Sequence, residues 1–63
     1  MSNAPLSPDP AVYVRRRREL DKYYSEKMWS FFGPGGWWGY VAAANAEQAK
    51  IEATNRIAQE ART

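Results

Sequence analysis

The chain contains neither cysteine nor histidine. Disulfide staples are thereby excluded, and so are the common zinc sites, which draw on those two residue types. Without histidine, Ser7, Ser25 and Ser30 also lack the usual base that would activate a serine as a nucleophile. An excess of charge is missing as well: nine Lys and Arg stand against seven Asp and Glu, for a net charge of +2. A general nucleic-acid binder is usually more basic over a whole face, so specific nucleic-acid binding is not expected. The seven carboxylates are scattered, and most have a cation four residues away. A paired acid/base site would need two of them desolvated together in a cleft. No enzyme activity, no cofactor and no metal site is therefore expected.

Targeting features are equally sparse. The first fourteen residues have no basic segment followed by an apolar one, so a secretory signal is not expected. Asp9, Glu19 and Asp21 come too early for the acid-poor pattern of a mitochondrial presequence. Length sets a further limit, because 63 residues allow one domain at most. A compact chain of this size buries only about 60% of its unfolded surface. Ordering each residue costs ~1.5 kcal/mol, which the hydrophobic gain at ~25 cal/mol per Å² barely offsets. With staples excluded, partner chains are the expected source of additional stability.

What is present concentrates in "MWSFFGPGGWWGY", Met28 to Tyr40, with six aromatic residues in thirteen and no charge. On either side the residues favour helix. Asp9-Pro10 reads as an N-cap followed by proline at the first helical position. Tyr13, Leu20, Tyr24, Met28 and Phe31 follow at spacings of 7, 4, 4 and 3, the period of a helix packed on one face. Arg15–Glu19, Arg17–Asp21 and Lys22–Glu26 stand at pairing distance along such a helix. "GPGG", Gly33 to Gly36, is a turn by composition. Beyond it, "YVAAANAEQAKIEATNRIAQEART" is rich in the helix formers Ala, Glu and Gln.

These patterns predict an all-α fold: a helical hairpin with helices over 10–32 and 37–62, a turn at 33–36, and an extended Pro-rich arm over 1–9. Ala42, Ala46, Ala49, Ala53 and Ile57 form the stripe expected to pack on the first helix. Ala44, Ile51 and Ala58 form a second stripe suited to another helix. Arg15, Arg16, Arg17 and Arg18 would ring the first helix, one every 100°, and dock electrostatically on acidic protein groups.

The aromatic stretch has three competing readings. Met28 to Ala46 is nineteen residues without charge, near the ~20 that span a bilayer. Gly-Pro-Gly-Gly in its middle would expose backbone groups to lipid, which argues against a spanning helix. A tip lying at the membrane interface remains open, since Trp and Tyr favour headgroup depth. The hairpin end itself cannot cover six rings, so the preferred reading is an anchor pushed into a partner. Trp29, Phe31, Phe32, Trp37, Trp38 and Tyr40 are the expected anchoring residues.

The second half, "GGWWGYVAAANAEQAKIEATNRIAQEART", resembles the small internal or ejection-type virion proteins of tailed bacteriophages. Those often follow an apolar, Gly-containing tip with a long Ala/Gln/Glu helix. The resemblance is one of composition, carries no functional residue across, and has no counterpart for Arg15 to Arg18. It implies a non-catalytic structural subunit of a larger assembly, a minor virion component. A second resemblance competes: small accessory subunits of respiratory or photosynthetic membrane complexes also combine an extended arm, a charged helix and an aromatic segment. The expected setting is accordingly a virion or a membrane-associated complex.

Overall fold

The computed structural model describes residues 8–61, and the predicted arm lies almost wholly outside them. The chain forms three strands and then one helix: β1 (Tyr13–Arg16), β2 (Met28–Phe32), β3 (Trp38–Ala42) and α1 (Ala46–Ala61). The strands make one antiparallel meander in the order β1-β2-β3, and α1 packs across all three. The fold is therefore α+β, and the all-α helical hairpin is overturned. The span 10–32, expected as one helix, holds β1, a loop and β2.

The physical reason lies in residue type and period. "YVRR", "MWSFF" and "WGYVA" are dense in aromatic and β-branched side chains, which suit a pleated surface better than a helix. The spacing of 3 from Met28 to Phe31 looked helical. Along a strand it places the two side chains on opposite faces. Asp9 and Pro10 do mark a boundary, but of a different kind. Val12 N–H donates to the Asp9 carbonyl at 3.0 Å, and Ala11 N–H donates to Asp9 Oδ1 at 2.9 Å. The pair thus forms a β-turn with proline in its favoured second position. Asp9 N–H donates in addition to Thr54 Oγ1 at 3.1 Å, tying this turn to α1.

Gly33 to Gly36 is a turn, as its composition predicts, though it joins two strands. Gly35 and Gly36 adopt φ of 82° and 80°, a region that side chains strain to enter. Gly33 N–H donates to the Trp37 carbonyl at 2.7 Å and closes the loop.

The second helix exists but begins at Ala46 rather than Trp37. Asn45 caps it: its Oδ1 accepts from Gln48 N–H at 2.9 Å, and its carbonyl accepts from Ala49 N–H at 3.0 Å. The core lies between α1 and the sheet, built from Val12, Phe31 and Val41 on one side and Ala49 and Ala53 on the other. Val14, Trp29, Ala43 and Ile57 close its margins. Of the expected packing stripe, Ala49, Ala53 and Ile57 do face the core, against strands in place of a helix. Ala42 belongs to β3, and Ala46 is exposed at the start of α1. In the second stripe, Ala44 precedes α1 and is exposed, while Ile51 and Ala58 are half-buried.

Candidate docking face

Side chains opposite one another in an antiparallel pair share a face. The register therefore sorts the sheet into two sets. Val14, Phe31 and Gly39 make one row of the inner set, and Arg16, Trp29 and Val41 the next. The inner set faces α1. A Cβ at Gly39 would stand 2.9 Å from two atoms of the Phe31 ring, so the glycine gives that ring its place in the core.

The outer set is not covered by any described element over most of its area. Tyr13, Phe32 and Trp38 are register partners and form a row of three rings across all three strands. They are 68%, 58% and 69% exposed, which makes this row a surface rather than a core layer. The next row, one pleat repeat or about 6.8 Å along the strands, is Arg15, Ser30 and Tyr40. Trp38 and Tyr40 meet edge to face, with centroids 6.2 Å apart and planes at 89°. An open concavity of about 350 Å³ lies over these two rows and extends to Arg17. Met28 also belongs to the outer set but is buried, where the 3₁₀ turn Arg18–Leu20 contacts β2.

Strand geometry changes the reading of the arginine run. Alternation replaces the ring of four with sides. Arg15 points outward from β1 and makes no ion pair among the described residues. Arg17 also lines the outer concavity, with Nε 2.8 Å from Glu19 Oε1, an ion pair aligned too poorly for a hydrogen bond. Arg16 turns to the other side and is engaged within the chain. Its Nη1 donates to Asp21 Oδ1 and to the Met28 carbonyl, each at 2.9 Å, and its Nη2 donates to Asp21 Oδ2. Its guanidinium also lies 5.7 Å from the centroid of the Trp29 ring. Arg18 is exposed at the start of the 3₁₀ turn. The pairs Arg16–Asp21 and Arg17–Glu19 thus stand in place of the helical pairings Arg15–Glu19 and Arg17–Asp21.

Asp21 is the hub of the β1–β2 connection, because its Oδ1 also accepts from Met28 N–H at 3.1 Å. Hydrogen bonding from Arg16 holds its carboxyl well below the ordinary 3.8, at about 2; the Met28 amide and the charges of Arg16 and Arg18 act in the same direction, against desolvation. The same hydrogen bond raises the Arg16 guanidinium pKa.

The six expected anchors divide in the same way. Phe31 is a core residue at 5% exposure. Trp29 is half-buried, and its Nε1 donates to the Ala43 carbonyl at 2.9 Å. Phe32, Trp38 and Tyr40 face outward, and Trp37 sits at the end of the turn with its ring beside Gly35. Tyr13, which the helical period places in a helix core, joins the outward rings. Its place is visible in sequence only once "YVRR" is read at period two.

Among the described residues no group of three or more Asp and Glu is placed to hold a metal ion. None of the described helices is long and apolar enough to cross a membrane. The uncharged run Met28–Ala46 is instead divided among β2, the turn, β3 and the start of α1. No protein-family model, curated protein or solved structure matches this chain.

Proposed function

We propose that the chain is a non-catalytic interaction subunit of a larger assembly, held there by the outer face of its sheet. The observation that carries this reading is the exposed set Tyr13, Phe32, Trp38 and Tyr40 beside Arg15, with no carboxylate among the described residues that line the concavity they share. Each aromatic ring can bury ~150–250 Å² on docking, and aromatic residues and arginine dominate interface energetics. In this reading a sheet face stands where the sequence predicts a helical tip, and Phe32, Trp38 and Tyr40 are the expected anchors that it exposes.

Charge narrows the partner. A second copy related by a two-fold axis would bring the Arg15 and Arg17 cations of one face against those of another, with only Glu19 beside them among the described residues, which disfavours self-pairing. The complementary partner presents negative charge beside flat apolar or π surface. A particle of the virion type, as the compositional resemblance implies, is the assembly in which we place it.

The test is fractionation of the native source, with the chain followed by mass spectrometry beside a Phe32→Ser/Trp38→Ser variant. Expected is co-migration of the native chain with a detergent-resistant particle, and loss of the variant from that fraction. Normal incorporation of the variant overturns the docking face. Migration with membranes, released by detergent into a discrete complex, overturns the virion setting in favour of an accessory subunit of a membrane complex.

A further inference from the structure

We infer that the outer sheet face is a binding platform for single-stranded nucleic acid, taken without sequence preference. This rests on the docking face proposed above and names what occupies it. Three features of the face meet what a single strand offers. Bases present flat π surfaces, and the row Tyr13–Phe32–Trp38 presents three exposed rings in register across adjacent strands. Sequence-tolerant binding uses such rings because every base has a π face. Phosphates present negative charge, and the cations on the concavity are Arg15, without an ion-pair partner among the described residues, and Arg17, paired with Glu19. Tyr40 and Ser30 add hydroxyl groups in the row beside Arg15.

Shape also favours a strand over a folded protein. Protein hot spots seat side chains in well-packed pockets, whereas this concavity is open and runs along the strand direction from the aromatic row toward Arg17. The modest net charge of +2 agrees with a mode in which stacking carries more of the affinity than phosphate contacts do. Such a mode gives no base readout, and it needs less than the whole-face basicity usual for a general binder that relies on phosphate contacts. Duplex DNA, with its bases stacked inside, offers the rings nothing to stack on.

The experiment uses the full chain and a labelled 12-nucleotide oligonucleotide of mixed sequence, read by fluorescence anisotropy across a salt series. Saturable binding is expected, with log Kd changing against log salt by about 0.7 per phosphate contact, hence about 1.4 for Arg15 and Arg17 together. Arg15→Gln should lower that slope by about 0.7. Trp38→Phe should retain binding, while Trp38→Leu, which keeps apolar bulk but has no π face, should weaken it roughly tenfold. Trp38 is on the exposed face, so circular dichroism of both variants should match that of the parent. Three results overturn the inference: no saturable binding at low salt by a folded chain, equal affinity for the duplex of the same sequence, or equal binding by the Leu and Phe variants. Anionic vesicles bound more tightly than the oligonucleotide also overturn it and point to a membrane surface. If the oligonucleotide fails to bind but the Phe32/Trp38 variant still drops out of the native particle, the docking face stands and only its nucleic-acid occupant is lost.

Discussion

A methyl group added at Gly33 probes the seating of α1 on the sheet. Its Cβ would lie 2.5 Å from Ile57 Cδ1, with Val12 Cγ2 at 3.6 Å and Ile57 Cγ1 at 3.8 Å. Apolar carbons rest at about 3.5–4.0 Å, so only the Cδ1 contact is too close, and it must open by about 1 Å. The backbone at Gly33, φ −130° and ψ 177°, is ordinary extended chain, so sterics alone oppose the substitution. Overpacking of this kind costs ~1–3 kcal/mol, and the lower unfolded-state entropy of alanine returns ~0.4–1 kcal/mol. Gly33→Ala should therefore destabilise by about 1–2 kcal/mol. Ile57→Val removes the offending carbon and alone costs ~0.5–1.5 kcal/mol. Combined, the new methyl meets only contacts at 3.6 Å and beyond. The double variant should then lie within about 1 kcal/mol of the parent, well short of the sum of the two single losses. Urea unfolding followed by far-ultraviolet circular dichroism measures all four corners of the cycle. Losses that add within ~0.5 kcal/mol would mean that Gly33 and Ile57 do not meet, and would refute the packing of α1 against the β2–β3 turn.

Two further predictions concern single residues. The depressed Asp21 carboxyl contributes stability that is complete above about pH 4 and is lost as pH falls toward about 2, because in that window the unfolded chain binds the proton more readily. Asp21→Asn should flatten the pH dependence of the unfolding midpoint between those values, and an unchanged profile would show that the Arg16–Asp21 contact is not formed in solution. Asn45→Ala should cost ~1 kcal/mol by removing the cap of α1, with Asn45→Asp retaining most of the stability. A loss under ~0.2 kcal/mol would place the helix start elsewhere.

Parts of this architecture were legible in the sequence and parts were obscured for definable reasons. The turn at Gly33–Gly36 and the helical character of the second half follow from composition, because Gly, Pro and Ala act locally. Asn45 with Gln48 three residues later is an N-cap pattern that marks the true start of α1, but the alanines on both sides of it mask the signal. The error over the first half came from the segment between the strands. Its charges stand at spacings of four, which imitate a helix, while the pairs that form, Arg16–Asp21 and Arg17–Glu19, are five and two apart and belong to a loop. Pairing of β1 with β2 joins residues as far apart as Tyr13 and Phe32, and no local period encodes that. The face inherits the same limits. Aromatic richness was visible in the sequence, yet which rings turn outward depends on strand register, and so does the separation of Arg15 from Arg16.

The two borders of the sheet differ in how readily they stick. β1 ends the sheet on one side with Arg15 and Arg16 among its four residues, and charge on a border strand discourages another strand from adding to its free backbone groups. β3 ends it on the other with Trp38-Gly39-Tyr40-Val41-Ala42, which carries no charge at all. Strand-to-strand growth on crowding is therefore expected from the β3 border before the β1 border, because its five residues carry no charge to oppose an added strand.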